Sequence, residues 1–154
     1  MVSLSVGDKA PSFSASDDQG QKVSLKDFRG QTLVLYFYPK DDTSGCTAEA
    51  CSFTENIAAF NKLNVAVVGV SKDSIESHQK FKQKYDLKFP LLSDEDGKIC
   101  EAYETWVEKS MYGRKYMGTD RSTFLIGEDG KIKALWRKVK VPGHVEEILK
   151  EIKG

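Results

Sequence analysis

The chain has 154 residues, of which 40% are hydrophobic and 30% charged, and its 23 basic and 23 acidic side chains give a formal net charge of zero. This length and composition predict one soluble domain spanning residues 1–154, and the charge balance favours neither nucleic acid nor an anionic membrane as a partner. No segment approaches the roughly 18 apolar residues that span a bilayer, and the start of the chain lacks the basic and apolar segments of a secretory signal. Three cysteines are too few for a secreted disulfide scaffold, so we expect a reducing compartment, the cytoplasm.

Apolar patterning predicts alternating strands and helices along the chain. In chain order we expect a strand at 23–25, a single turn at 25–28, a buried strand at 32–38, a helix at 46–63, a strand at 65–70, a helix capped by Ser74 at 74–85, a short strand at 89–92, a short helix at 98–103, a long loop at 106–122, a β-hairpin of strands 122–126 and 132–137, and a final helix at 145–152. No repeat or flexible linker interrupts this series.

The order of these elements predicts an α/β fold. A parallel β-α-β unit followed by an antiparallel hairpin and a helix is the arrangement of the thioredoxin-like fold, with a central mixed sheet and helices on both faces. Functional sites in open α/β sheets lie at the carboxyl ends of the strands. Cys46 comes just after the strand at 32–38, so we expect it at such an end.

Cys46 is the first candidate for chemistry, because it lies at a loop-to-helix junction. The unpaired N–H groups of a helix start carry partial positive charge, which favours the nucleophilic thiolate over the thiol. Thr43 offers a hydroxyl to the thiolate or to a bound oxygen, Gly45 allows close backbone approach, and Pro39 can shape and shield a pocket. The alternative is that Cys46 is a small buried hydrophobe behind a helix cap formed by Thr43 or Ser44.

Cys51 follows Cys46 by five positions, and on an intact helix the two Cα atoms would lie roughly 8.7 Å apart. A disulfide spans at most about 6.8 Å between Cα atoms, so the pair can bond only if the first turns of the helix unwind. Two interpretations stay open: two inert thiols on a stable helix, or a helix start that melts when the pair oxidises. Cys100, far away in the sequence, is expected to be a buried core thiol.

Arg121 precedes the strand at 122–126. It is either a solvated or paired surface charge or a fixed cation beside Cys46, where its planar fork would suit two oxygens at once, and the residues alone do not decide between these. His78 and His144 lie in different helical segments without ligand spacing, and the cysteines form no C-x-x-C pair, so we expect no metal site. The sequence also lacks a Gly-rich phosphate loop and the arginine that a cysteine phosphatase needs just after its cysteine.

At these positions the chain closely resembles the peroxiredoxins, specifically the bacterioferritin comigratory protein (PrxQ) branch. The matching positions are the Pro-x-x-x-Thr-x-x-Cys motif of Pro39, Thr43 and Cys46, the acidic residue Glu49 that follows it, the resolving-cysteine position Cys51 that some members carry in the same helix, and the active-site arginine Arg121. The aromatic and basic run at 106–118 is also typical of this branch, and the similarity spans nearly the whole chain.

The resemblance implies reduction of hydrogen peroxide and alkyl hydroperoxides, with no metal, haem or flavin. Cys46 would attack the peroxide and become a sulfenic acid, and Cys51 would condense with it to an intrachain disulfide that thioredoxin or a similar dithiol reduces. The Cys46 N–H, the Thr43 hydroxyl and the Arg121 guanidinium would act as donors to the peroxide oxygens, and Glu49 would orient Arg121. Members of this branch are often monomeric, so we expect a monomer.

Two other classes of function stay open. A thioredoxin-like dithiol oxidoreductase would act on protein disulfides, but it is expected to carry C-x-x-C. Here four residues lie between Cys46 and Cys51, which gives a C-x4-C arrangement. A non-catalytic binding or holdase module would need no peroxide turnover, and the intact motif argues against it. Thiol titration before and after one equivalent of peroxide would distinguish these classes.

Overall fold

A computed structural model describes residues 3–154. The strands in this part of the chain are β1 (Ser14–Asp17), β2 (Lys22–Ser24), β3 (Thr32–Phe37), β4 (Val65–Ser71), β5 (Leu91–Ser93), β6 (Trp106–Met111), β7 (Arg114–Thr119), β8 (Ser122–Ile126) and β9 (Ile132–Trp136). The α-helices are α1 (Ser44–Glu55), α2 (Ile57–Lys62), α3 (Ile75–Tyr85), α4 (Lys98–Ala102) and α5 (His144–Lys153). Within residues 3–154, no helix combines the length and apolarity needed to cross a bilayer.

Seven of these strands form one mixed sheet, in the order β2-β1-β5-β4-β3-β8-β9. β3, β4 and β5 run parallel, because helical crossovers connect them, whereas β8 runs antiparallel to β3. The register places Phe37 of β3 opposite Ser122 of β8. The residues that follow β3 therefore lie beside the residues that precede β8.

Side chains of β3 alternate between two apolar cores, one on each face of the sheet. Val34 and Tyr36 belong to the core covered by α1, α2, α3 and α5, whereas Leu35 and Phe37 belong to the core that contains α4. A strand buried on both faces is continuously apolar, which explains the strong sequence signal of this segment. The predicted central mixed sheet with helices on both faces is confirmed.

The single helix predicted at 46–63 is in fact two helices. Asn56, with φ −103° and ψ 7°, separates α1 from α2, and its side-chain amide donates to the carbonyl of Ser52 at 2.8 Å. Such a local side-chain bond competes with the helical backbone pattern and ends α1. The cap predicted at Ser74 is confirmed, because its hydroxyl accepts a hydrogen bond from the N–H of Ser77.

The long loop predicted at 106–122 is wrong. β6 and β7 form a separate two-stranded antiparallel ribbon, and Tyr112 and Gly113 make its turn with φ angles of 52° and 78°. Two successive positive φ angles are the geometry of a tight hairpin turn. Most side chains of this ribbon are exposed, so the alternation of apolar and polar residues that usually marks a strand is missing. β1 is a further strand that was not predicted, because its residues Ser-Ala-Ser-Asp give little apolar signal.

Candidate active site

Arg121 and Cys46 meet at one edge of the sheet, although 75 positions separate them in the sequence. Cys46 lies in the first turn of α1, which follows the carboxyl end of β3. Arg121 directly precedes β8, and the antiparallel pairing of β8 with β3 brings that position beside the end of β3. The sequence left open whether Arg121 is a surface charge or a cation of the site. The sheet topology shows that it is a fixed cation beside Cys46.

The guanidinium of Arg121 bridges two acidic side chains of α1. Its Nη2 lies 3.4 Å from the Sγ of Cys46, and its Nη1 donates a hydrogen bond to Oε1 of Glu49 at 2.7 Å. Cys46 and Glu49 are one helical turn apart on the same face, and they are only 2% and 1% exposed. Gly45 permits this approach, because a Cβ at that position would lie 3.2 Å from Nη2 of Arg121.

Burial has the largest influence on the protonation of Glu49. Removal from water raises the pKa of Glu49 to about 7, although the charge of Arg121 opposes the rise. Burial alone would lower the pKa of Arg121, but Glu49 and Cys46 more than offset burial and raise it, so the guanidinium stays charged. The site thus contains one permanent cation in contact with two groups that can each become negative.

Thr43 occupies the N-cap position of α1 without capping the helix through its side chain. Its hydroxyl instead donates to the carbonyl of Lys40 at 2.9 Å, so Thr43 is not the free donor predicted from the sequence, and the lone pairs of its oxygen are available as acceptors. The N–H groups of the first turn, on Ser44, Gly45 and Cys46, have no acceptor within the helix. They are therefore available to an oxygen bound at the helix start.

The other two cysteines have different environments. Cys51 is half-buried in α1, and burial, with a smaller effect of the Glu55 carboxylate, raises the pKa of its thiol. Cys100 is fully buried in α4, where burial and the nearby Asp94 raise its pKa to about 12. The prediction that Cys100 is a core thiol is confirmed. All three cysteines are free thiols, and Cys46 and Cys51 share one continuous helix.

A buried hydrogen-bond network that the sequence does not predict anchors the loop between β3 and α1. Pro39, in the same loop, is exposed. Asp41 accepts hydrogen bonds from the hydroxyl of Tyr38 at 2.6 Å and from the hydroxyl of Ser77 at 2.8 Å. The same carboxylate lies 2.7 Å from Nδ1 of His78 in α3. The charge of Asp41 is therefore engaged in this network, and no local pattern could reveal the pair because Asp41 and His78 are 37 positions apart.

The imidazole of His78 is fully buried between two hydrogen-bond acceptors, which favour its protonated form. Its Nδ1 faces the Asp41 carboxylate, and its Nε2 lies 2.9 Å from the carbonyl oxygen of Leu92. Neither oxygen can donate a hydrogen bond, so both ring nitrogens must carry hydrogen. Burial alone would lower the pKa of His78, but Asp41 and the Leu92 carbonyl raise it above the ordinary value of 6.5.

The protonated His78 predicts a loss of stability at high pH. Because its pKa is raised on folding, the imidazolium contributes its full stabilisation below pH 6.5 and loses it as the pH rises through the folded pKa. We expect the unfolding free energy of the wild type to fall over that range. The glutamine of His78→Gln does not titrate, so the unfolding free energy of this variant should be lower at the start and should lack the decrease. Urea denaturation of the reduced protein at a series of pH values measures the difference. Gln79→Ala, an exposed change in α3, is the matched control, and parallel pH curves for wild type and His78→Gln would contradict the assignment.

One group of potential metal ligands converges within residues 3–154, formed by Asp41, Asp73 and His78. Asp41 and His78 are bonded to each other, and Oδ2 of Asp73 accepts from the hydroxyl of Ser71 at 2.6 Å and from the N–H of Asp41 at 2.9 Å. Internal hydrogen bonds therefore account for the convergence of these side chains, and the cluster gives no reason to assign a metal.

Comparisons with known proteins identify the family of this chain. The model of the AhpC/TSA family matches residues 6–135. The chain belongs to the AhpC/TSA family. It is 47% identical to peroxiredoxin Bcp of Bacillus subtilis, over 99% of this chain and 97% of that protein. A solved structure of a Xylella fastidiosa PrxQ mutant is 40% identical with a TM-score of 0.94, and the alignment covers 99% of this chain and 98% of that one.

A further solved structure is that of the Xanthomonas campestris bacterioferritin comigratory protein, described for its alkyl peroxide reduction activity. It is 41% identical with a TM-score of 0.88, and the alignment covers 92% of this chain and 90% of that chain. The resemblance to the PrxQ branch of the peroxiredoxins is thus confirmed, and the fold is thioredoxin-like. The extent of the domain, residues 1–154, and the roles of the individual site residues stay predictions.

Proposed function

We propose that this protein is a thiol-dependent peroxidase that reduces hydrogen peroxide and alkyl hydroperoxides. The observation that carries the proposal is the distance of 3.4 Å between Sγ of Cys46 and Nη2 of Arg121 at the start of α1. A buried cysteine beside a fixed guanidinium and the unpaired N–H groups of a helix start is in an environment that favours the thiolate. The family and the activity described for the Xanthomonas campestris relative support the same chemistry.

In the first step the thiolate of Cys46 attacks the distal oxygen of the peroxide. The S–O bond forms as the O–O bond breaks, so that Cys46 becomes a sulfenic acid and the remainder leaves as water or an alcohol. The N–H groups of the helix start and the Arg121 guanidinium donate to the peroxide oxygens, while the Thr43 oxygen accepts from the peroxide O–H. Glu49 holds Arg121, and the Lys40 carbonyl orients the Thr43 hydroxyl, so these dipoles are in place before the substrate binds.

In the second step Cys51 condenses with the sulfenic acid, which forms the Cys46–Cys51 disulfide and releases water. The raised pKa of Cys51 keeps it a thiol during the first step, so it does not compete for the peroxide. Thioredoxin or a similar dithiol then reduces the disulfide, which makes the protein an atypical 2-Cys peroxiredoxin. A monomer suffices for this cycle because both cysteines lie in α1, and three free thiols suit the reducing cytoplasm.

Cys51→Ser separates the two half-reactions and tests this proposal. Attack on the peroxide does not involve Cys51, so we expect the first equivalent of peroxide to be consumed as in the wild type. Turnover with thioredoxin is expected to fall at least about tenfold, and overoxidation to sulfinic acid to rise, because nothing captures the sulfenic acid. Stopped-flow measurement of peroxide consumption follows the two steps, and mass spectrometry of the peroxide-treated wild type locates the Cys46–Cys51 bond.

Cys100→Ala is the matched control for this experiment, because the Cys100 thiol is fully buried outside α1. We expect Cys100→Ala to keep the turnover of the wild type. Sustained turnover in Cys51→Ser would show that Cys100 or an external thiol resolves the sulfenic acid. A wild type that consumes no peroxide would refute the proposed function itself.

A further inference from the structure

Two buried side-chain oxygens beside the candidate site have no hydrogen-bond partner, Oε2 of Glu49 and the hydroxyl of Tyr36. They are the only unpartnered side-chain nitrogens or oxygens in the buried parts of residues 3–154. The two residues are 1% and 0% exposed. A buried carboxylate oxygen without a donor is costly when the group is ionised, and the cost is much smaller when the carboxyl is neutral. Because Oε1 of Glu49 accepts from Arg121, the unpartnered Oε2 is the place for a proton.

The charges around Arg121 lead to the same conclusion. Cys46 and Glu49 both contact its guanidinium, so full ionisation would place two buried negative charges against one cation. Neighbouring buried acids do not both ionise readily, and such a pair titrates as a unit that shares a proton. The pKa of Glu49, raised to about 7 by burial, is that of a carboxyl able to take up this proton near neutral pH.

The other titratable groups around this pair do not alter the count of charges. Tyr36 on β3 is a neutral hydroxyl, because burial raises its pKa well above its ordinary value. His144 on α5, which the charge of Arg121 also influences, is neutral because burial lowers its pKa. Asp41 on the loop before α1 is paired with the protonated His78. Arg121 therefore remains the cation that the two acids of α1 share.

We propose that Cys46 and Glu49 share a single proton, so that the reactive thiolate coexists with a protonated Glu49, and that Glu49 passes this proton to the oxygen that leaves the peroxide. The inference rests on the proposed peroxidase function and names the proton donor of its first step. Glu49 then has two tasks, since it also orients Arg121 through the hydrogen bond of 2.7 Å.

The step balances in atoms and in charge. The thiolate of Cys46 attacks the distal oxygen of a hydroperoxide ROOH, the S–O bond forms, the O–O bond breaks, and the alkoxide RO⁻ leaves. The alkoxide takes the proton of Glu49, so the products are the sulfenic acid of Cys46, the alcohol ROH and the carboxylate of Glu49. One negative charge is present before and after the step. The sulfenic acid is neutral, so the new carboxylate alone pairs with Arg121, which favours the products.

Glu49→Gln separates proton donation from the orientation of Arg121. The amide oxygen can still accept from Nη1 of Arg121, but the side chain neither ionises nor supplies an acidic proton. We expect the thiolate absorbance of Cys46 to persist to lower pH than in the wild type, because one competing negative charge is gone. The rate of the first step with tert-butyl hydroperoxide should nevertheless fall about 100-fold, the size of a general-acid contribution. With peracetic acid, whose acetate leaves without needing a proton, the rate should change little.

The matched control is Glu101→Gln, which alters an exposed glutamate of α4 and should react like the wild type with both oxidants. Equal slowing of Glu49→Gln with both oxidants would leave Glu49 with a positioning role only, and unchanged rates with both would remove it from the step. Either result overturns the inference. A wild type that consumes neither oxidant would instead refute the peroxidase function, so the two failures are distinguishable.

Infrared difference spectroscopy tests the shared proton with Glu49 left in place. The Cys51→Ser protein stops at the sulfenic acid, so its spectra before and after one equivalent of peroxide isolate the first step. We expect the C=O band of a protonated carboxyl to disappear and carboxylate bands to grow, because Glu49 becomes the single anion on Arg121. A difference spectrum that shows the sulfenic acid without loss of a protonated carboxyl would overturn the inference, whatever the stability of Glu49→Gln.

Discussion

Replacing Cys46 with serine is expected to abolish peroxide reduction. Cys46 alone among the three cysteines combines the first turn of α1 with a guanidinium 3.4 Å from its sulfur. A serine hydroxyl keeps a similar size but does not ionise at neutral pH and is a poor nucleophile toward a peroxide oxygen. We expect the rate constant for peroxide consumption to fall by at least about 1000-fold, as for loss of other covalent nucleophiles. Stopped-flow measurement with hydrogen peroxide and tert-butyl hydroperoxide gives this rate.

The matched comparison for Cys46→Ser is Cys51→Ser, which makes the same chemical change in the same helix. Cys51→Ser should consume the first equivalent of peroxide at the wild-type rate, whereas Cys46→Ser should consume none. Cys46 is 2% exposed within an apolar core, so circular dichroism and the thermal midpoint must first show that Cys46→Ser is folded. Stoichiometric peroxide consumption by folded Cys46→Ser would assign the nucleophile to another cysteine.

The elements of the main sheet could be predicted because they carry strong local signals. Residues 33–37 are continuously apolar, and β3 is buried on both faces as such a pattern requires. The ribbon of β6 and β7 escaped prediction because its side chains are mostly exposed, so its fold depends on cross-strand pairing and on the turn at Tyr112 and Gly113. The break at Asn56 likewise depends on one hydrogen bond to Ser52, which hydrophobic periodicity does not register.

Part of the candidate site could likewise be predicted from local sequence, and part could not. Cys46 and Glu49 could be predicted to share a helix face because three positions separate them on one helix. The position of Arg121 could not be derived from its neighbours in sequence, because it depends on the pairing of β8 with β3, and the family resemblance supplied the expectation. Neither a local pattern nor the resemblance pointed to the bond between Asp41 and His78, which forms only when α3 packs beside the loop after β3.

Oxidation of the Cys46–Cys51 pair is expected to unwind the first turns of α1. Both cysteines lie in the continuous helix Ser44–Glu55. Ideal helix geometry places their Cα atoms roughly 8.7 Å apart, whereas a disulfide spans at most about 6.8 Å. Several backbone hydrogen bonds must therefore break, each worth about 1 kcal/mol net. The constraint of so short a disulfide loop offsets only about 2 kcal/mol, so we expect the oxidised form to be less stable than the reduced form.

Packing predicts where the unwinding stops. The residues of α1 before Cys46 are exposed or half-buried, so the first turn is held by the packing of Cys46 in the core and by the contacts of Cys46 and Glu49 with Arg121. Further along the helix, Phe53 is fully buried and its ring stacks on that of Tyr36 with 4.5 Å between centroids. We therefore expect α1 to unwind from its start and to stay docked from Phe53 onward. Arg121 then loses its partners, and the disulfide becomes accessible to the dithiol that reduces it.

Amide hydrogen exchange across residues 43–56 measures this unwinding in the two redox states. We expect the oxidised protein to lose protection at 47–51, where the first backbone hydrogen bonds of α1 lie, and to keep it from Phe53 onward, and its thermal midpoint to lie below that of the reduced protein. The Cys51→Ser protein treated with one equivalent of peroxide is the control, because it forms the sulfenic acid without the disulfide and should keep the protection of the reduced state. Equal protection in both states, with the Cys46–Cys51 bond confirmed by mass spectrometry, would mean that this segment is not a regular helix in the reduced protein in solution. The reductant would then reach the disulfide without any unwinding of α1, and the helix geometry would place no limit on turnover.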